Sequence, residues 1–302
     1  MNDYVISSSD LTKQYGSFKA VDQLDLQVPK GSICGFLGQN GAGKSTTIKM
    51  LLGMVKPTSG SGSVLGFDIE EEKSSLEIRK RVAYVAEDKR LYDYMTVAQI
   101  LNFTRPFFGA WDKDLERHLL DEFKLPINRS IKKLSKGMRT QLALVLGICR
   151  NTEILILDEP SEGLDPVNNE KVLKLLVGLA SDGKTIFFSS HNVFEVEQVS
   201  DYIIMIHKGR LVESKSLEQL KEDNKIIKCL YSEKHNLDLK SLKAAKSVKS
   251  DPNSVLVFAD GDKSALLDIL KQSHPSSVEV INLSLKDIFL ENLKALESHV
   301  IS

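Results

Sequence analysis

The sequence predicts an α/β fold organised around a phosphate-binding loop, with a β-rich N-terminal part, a helical insert and a small C-terminal α+β appendage. Three features of the chain lead there. The run Gly38-Gln39-Asn40-Gly41-Ala42-Gly43-Lys44-Ser45-Thr46 is a complete G-x-x-x-x-G-K-S/T loop, set directly after the strand-like residues 32–37 and before a helical run at 47–52. The run Ile154-Leu155-Ile156-Leu157-Asp158-Glu159 is an apolar strand that ends in two acids. Finally, short apolar β-rich runs alternate with amphipathic helices up to about residue 220.

Length and composition bound the possibilities. At 302 residues the chain exceeds one ordinary core, and about two domains are expected. A formal net charge of -1 gives no general attraction to polyanions, so no nucleic-acid partner is expected. Cys34, Cys149 and Cys229 are scattered, odd in number and apolar in context, as reduced thiols of a cytosolic protein are. The N-terminus lacks a basic region followed by an apolar stretch, and no run approaches the ~20 apolar residues that cross a bilayer. The expectation is a cytoplasmic chain, peripheral at the inner face of the cell membrane only through a partner.

In the phosphate loop, glycines permit a tight turn that aims backbone N–H groups at phosphate oxygens, and the helix behind it presents its positive end. Gly38, Asn40, Gly41, Gly43, Lys44, Ser45 and Thr46 are the candidate nucleotide contacts, with Lys44 on the terminal phosphates and Ser45 a ligand to Mg²⁺. Further buried strands are expected at 82–85, 154–157 and 185–188. Between about 95 and 150 the pattern turns helical, with helices around 97–108, 115–123 and 138–149.

The acids at the end of the 154–157 strand suit phosphoryl chemistry. A buried strand delivers them to the sheet's C-terminal edge, where Asp158 can hold the Mg²⁺ shell and Glu159 can orient and deprotonate an attacking water. Between the two elements lies Leu134-Ser135-Lys136-Gly137-Met138. Ser135 is a good N-cap and Gly137 allows close backbone approach, which makes either an ordinary capped helix or a second anion-facing helix end. Two such ends with a single Lys44 make sense if two copies pair head to tail.

After Arg210 the chain has no arginine, and this composition shift separates residues 1–220 from 221–302. In the second part, strands are expected at 226–231, 254–258 and 278–283 and helices at 263–272 and 284–296. Lys240, Lys243, Lys246 and Lys249 recur every third residue, either as an anion-facing stripe on a helix or as the solvated face of an exposed segment.

Taken in order, these motifs over about residues 4–220 resemble the ATP-binding subunits of ABC transporters, phosphate-loop NTPases of the ABC ATPase type. The resemblance implies ATP and Mg²⁺ as cofactors. Tyr15 is placed as the aromatic that stacks on adenine in that family. Glu87, after Ala83-Tyr84-Val85-Ala86, stands where the family has glutamine, touching Mg²⁺ or its water and linking nucleotide to the membrane partner. The usual L-S-G-G-Q appears as residues 134–138 with Lys136 and Met138 substituted, while Ser135 and Gly137, which face the partner's γ-phosphate in the family, are kept. Pro160-Ser161-Glu162-Gly163-Leu164-Asp165-Pro166 looks like the loop through which paired subunits communicate, with Asp165 its firmest member. His191, after Ser189-Ser190, matches the switch histidine that touches the γ-phosphate and holds the water with Glu159.

The same resemblance implies a homodimer, or a pair with a closely related subunit, clamping two ATP molecules, and a membrane permease on a separate chain. The permease would sit over the insert near Glu87 and Phe103, Phe107, Phe108 and Trp111, aromatics that read equally as the insert's own core. The appendage, clearest in Ser284-Leu285-Lys286-Asp287-Ile288-Phe289-Leu290, resembles the tails of subunits serving drug, antibiotic or lipid-linked exporters, with a regulatory or dimer-supporting role. The rival reading is a soluble ABC ATPase acting on ribosomes or DNA. A single phosphate loop, no heptad run and a charge of -1 disfavour it.

Overall fold

The computed structural model describes residues 3–298 apart from Asn236, Lys243 and Asp262, and the chain divides into two compact units, Met1–Ser214 and Lys215–Ser302. The first unit opens on a long hairpin, β1 (Tyr4–Tyr15) and β2 (Phe18–Pro29), followed by β3 (Ile33–Leu37), α1 (Lys44–Leu51), β4 (Ser59–Val64), β5 (Phe67–Asp68), α2 (Glu72–Arg81) and β6 (Val82–Val85). The insert supplies α3 (Val97–Thr104), α4 (Lys113–Glu122) and α5 (Lys136–Ile148). Then come β7 (Ile154–Asp158), α6 (Pro166–Ser181), β8 (Thr185–Ser190), α7 (Val193–Val199), β9 (Tyr202–His207) and β10 (Arg210–Ser216).

Two sheets result, one ordered β2-β1-β4-β5 and one ordered β10-β9-β3-β8-β7-β6. Strands β3, β7 and β8 are buried at every position, as continuous apolar runs covered on both faces should be. The Phe36 and Phe187 rings lie 5.1 Å apart, tilted to one another, in a core that also takes Ile48, Met50 and Leu51 from α1 and Leu24, Leu26 and Val28 from β2. Parallel pairing sets the register at the functional edge: Leu37 opposes Ser190 and Asp158 opposes Ser189. Segments far apart in sequence therefore leave the sheet side by side, at the edge where open α/β sheets bind ligands.

In the insert, α3 begins with a capping box between Thr96 and Gln99, and Asp112 and Ser135 cap α4 and α5. The helix expected to reach residue 108 stops at Thr104 and tightens into a 3-10 turn over Arg105–Phe107. Pro106 has no N–H to give to the carbonyl four residues back, so the α-helical ladder ends there.

The second unit contains α8 (Leu217–Asp223), β11 (Lys225–Leu230), β12 (Ala245–Asp251), β13 (Ser254–Ala259), α9 (Ser264–Gln272), β14 (Ser277–Asn282) and α10 (Leu285–Ser298). Its antiparallel sheet runs β12-β13-β11-β14 over a small core of Ile227, Cys229, Val255, Val257, Leu266 and Leu270. The lysine stripe does not form on a helix. Lys246 and Lys249 lie on β12, Lys240 falls in a 3-10 turn over Leu239–Ser241, and Lys243 lies outside the described residues. Lys246 is not simply solvated either, since its Nζ sits 3.1 Å from Asp260 and donates to Asn292 Oδ1. A period of three was a poor guide because pairing with β13, through Val248 opposite Val257, decides the conformation of β12.

Candidate functional site

The phosphate loop leaves β3 at Leu37 and enters α1 through Gly43, whose φ of 106° lies in the region that favours glycine; a Cβ there would stand 2.5 Å from Ala20 O. The loop is also tethered. Gly209 N donates to Ala42 O at 2.9 Å, and Asp22 N donates to Gly209 O at 2.9 Å. Asp22 in turn accepts from Lys19 Nζ at 2.8 Å and from Arg210 Nε and Nη2 at 2.8 and 2.6 Å. These hydrogen bonds hold its carboxyl below the ordinary value, Lys19 first and Arg210 second.

Lys44 is buried, donates from Nζ to Gly38 O at 2.8 Å and lies 3.3 Å from Glu159 Oε1. Glu159 follows β7 directly, in a left-handed conformation (φ 50°) that costs a residue with a Cβ roughly 1–2 kcal/mol. Its backbone is held from two sides: its N–H donates to Ser189 O and Oγ, each at 3.2 Å, and its carbonyl accepts from Lys89 Nζ at 2.8 Å. His191 Nδ1 lies 2.8 Å from Glu159 Oε2; since a carboxylate only accepts, Nδ1–H is the donor. Glu159 Oε1 is buried with no hydrogen bond directed at it, and its 3.3 Å approach to Lys44 is an ion pair only. Asp158, fully buried beside it, accepts from Ser189 Oγ at 2.5 Å.

A cavity of about 290 Å³ lies against the phosphate loop and Glu159, while Asp158 does not line it. It is lined by Asn40, Gly41, Gly43, Lys44, Ser45 and Thr46 of the loop together with Glu87, Glu159, Ala42, Ala20 and Phe18. Gly38 and His191 adjoin it through their bonds to Lys44 and Glu159. Tyr15 does not line this cavity. Its cross-strand partner Phe18 does, so the hairpin end presents two exposed rings, Tyr15 at 52% and Phe18 at 64%. Lys13 Nζ sits 5.2 Å from the Tyr15 ring centroid.

Ser135, Gly137 and Asp165 do not line the cavity. Ser135 Oγ accepts from Met138 N at 3.1 Å, and a Cβ on Gly137 would stand 2.8 Å from Gly163 O, so α5 packs its first turn against the loop after Glu159. Thr140 Oγ1 donates to Glu162 O at 2.9 Å, and Lys136 pairs with the Glu162 carboxylate, holding it below the usual range. Asp165 caps α6, accepting from Asn168 N at 3.0 Å. That backbone hydrogen bond is the main reason its carboxyl titrates low.

Phe18, which lines the cavity, and Lys89, which reaches the Glu159 carbonyl, carry no local motif in the sequence that marks them as site residues. Burial pulls the Lys89 ammonium down from its ordinary value, while Glu162, Glu87, Asp158 and Glu159 act in the opposite direction.

Among the described residues no group of three or more His, Cys, Asp or Glu forms a metal cage. Ser45, Asp158 and Glu87 instead offer hard oxygens of the kind Mg²⁺ takes in ones and twos, the rest of its shell being phosphate and water. The donor set fits that ion.

The family model described as ABC transporter matches residues 21–162. The bacitracin transport ATP-binding protein BcrA of Bacillus licheniformis is 38% identical over 224 residues, 73% of this chain and 72% of that protein. The uncharacterized ABC transporter ATP-binding protein YhaQ of Bacillus subtilis (strain 168) is 31% identical over 301 residues, 97% of this chain and 99% of its own length. A solved structure of the ATP-binding subunit of an ABC transporter superposes with a TM-score of 0.66 at 27% identity, covering 72% of this chain and 92% of that one.

Proposed function

The chain belongs to the ABC transporter ATP-binding family, and from that premise we propose that it is the subunit that binds and hydrolyses MgATP to drive a membrane permease carried on a separate chain, with export as its direction. The observation that carries this reading is the single cavity in which the phosphate loop, Glu87 and Glu159 meet, with Glu159 set between Lys44 and His191. Lys44 and the loop N–H groups bind and orient the phosphates. Ser45 and Asp158, with Glu87, would hold Mg²⁺, which when bound would offset the charge on the transferred phosphoryl group. Glu159 orients the attacking water and takes its proton, and His191 fixes the Glu159 carboxylate through Nδ1–H while its ring, 53% exposed, faces outward.

Ser135 and Gly137 complete the site of a second copy, so that two chains, identical or closely related, sandwich two ATP molecules and Asp165 lies where the copies communicate. Among the described residues no helix is long and apolar enough to cross a membrane, which agrees with a peripheral subunit at the inner face of the cell membrane. The permease contact is assigned to the insert. Phe108 and Trp111 pack within it, Phe108 beneath Arg150 and the Trp111 indole donating to Glu116. By contrast Tyr94, Tyr92, Phe103 and Phe107 form an exposed aromatic row, with successive rings 5.8, 5.8 and 5.3 Å apart. The BcrA relative supports antibiotic-type cargo, and the second unit (the proposed 221–302 domain) is assigned a regulatory or dimer-supporting role.

Co-expressed with its permease, the chain should sediment with membranes. Phe107→Ala should reduce permease-stimulated hydrolysis more than basal hydrolysis, whereas Lys44→Ala should abolish both. Co-sedimentation with ribosomes in high salt, and none with membranes, would instead favour the soluble alternative.

A further inference from the structure

We propose that Glu195 is a positioning residue for hydrolysis: its buried carboxylate ties the loop that follows Glu159 to the segment that carries His191. Glu195 lies in the first turn of α7 and is 7% exposed. Its Oε2 accepts from Ser161 Oγ at 2.6 Å and lies 3.5 Å from Ser190 Oγ. Its Oε1 accepts from Asn169 Nδ2 and from Asn192 Nδ2, both at 2.9 Å. All four donors are neutral, and among the described residues Glu195 makes no ion pair.

The donors come from places that matter to the proposed chemistry. Ser161 stands two residues after Glu159, Asn169 lies in the helix capped by Asp165, and Ser190 and Asn192 flank His191. His191 itself lies beyond the last paired residue of β8, so the sheet ladder does not fix its position. The Asn192 amide is clamped from both ends, since its Oδ1 accepts from Phe194 N at 3.2 Å while its Nδ2 reaches Glu195. Burying a carboxylate without a cation is costly, and apolar packing would serve a helix start with less penalty. Four directed acceptor contacts do what packing cannot: they hold two chain segments at a set separation, and the Glu159–His191 distance follows from it.

This inference rests on reading Glu159 and His191 as the hydrolysing pair, and the experiment separates the two ideas. With the purified full chain and MgATP, Glu195→Ala should lower kcat by about 10²-fold, the scale of a misplaced catalytic group, while KM and the affinity for ATP stay unchanged. Glu195→Gln should restore most of the rate, because its amide can face Ser161 and Ser190, whose hydroxyls turn to accept. In a His191→Ala background the Glu195→Ala effect should largely vanish, as expected for groups acting through one another. Should Glu195→Ala fail to fold, Ser161→Ala removes the shortest bond and must show the same split between kcat and KM. Parental turnover in a folded Glu195→Ala, or in Ser161→Ala where the former does not fold, would overturn the proposal if Glu159→Gln is inactive in the same assay. A loss confined to ATP binding, or no rescue by Gln, would overturn it as well. Parental turnover in Glu159→Gln would instead bring down the underlying pair.

Discussion

His191 Nδ1 donates to Glu159 Oε2 at 2.8 Å, although the two residues are 32 positions apart in the chain. Sheet register brings the two segments to the same edge. Asp158 opposes Ser189 across β7 and β8, so the residues just past each strand emerge together. The His191 contact leaves Oε1 on the Lys44 side, with one carboxylate oxygen oriented by histidine and the other toward the phosphate loop.

A chain with Glu159 changed to Gln should become dimeric when ATP is added. Nucleotide gains charge-assisted contacts from the Ser135 and Gly137 helix end of the second copy, and hydrolysis no longer releases them. Light scattering should show mass doubling with ATP only. A mass that stays monomeric with ATP, or is dimeric without it, would refute the clamp in the isolated subunit.

Replacing Tyr15 by Ala should weaken ATP binding by roughly 1–3 kcal/mol, the scale of one base–aromatic stack. Titration with a fluorescent nucleotide reads it directly. GTP should bind alongside ATP, since stacking engages the face of a base and not its edge. The same titration on Phe18→Ala tests whether the ring that lines the cavity shares the load; unchanged affinity in Tyr15→Ala would remove Tyr15 from the site.

Asp22 gives a pH signature. Its carboxyl titrates below the ordinary 3.8 because Lys19 and then Arg210 stabilise the charged form. The folded state thus binds this proton more weakly than the unfolded chain, and the stabilisation is fully present above 3.8 and lost as pH falls through the lower folded value. Melting temperatures of the parent and Asp22→Asn should differ most near neutral pH and converge in acid. A gap that persists undiminished under strong acid would show that Asp22 acts without its charge.

Much of this was legible in the sequence because the residues concerned sit at the ends of strongly patterned elements. Lys44 opens a helix after a glycine loop, and Asp158, Glu159 and His191 close apolar strands, so motif and placement coincide. Lys89 and Glu195 were not legible. Lys89 reaches the Glu159 carbonyl across 70 positions, and Glu195 meets Ser161 across 34, contacts that only tertiary packing defines. Gly137 could be read as a place of close approach, but nothing local named Gly163 as the group it approaches. Strand β12 was missed for the same reason: its lysines and serines carry little pattern, and pairing with β13 makes it a strand.

The most direct measurement is phosphate release from MgATP by the purified chain and by Glu159→Gln, with ATP binding followed in parallel. The parent should turn over. Glu159→Gln should lose about 10² to 10⁴ in rate, the scale of a missing general base, and still bind ATP. Equal turnover in the two proteins would contradict the assignment of hydrolysis to Glu159.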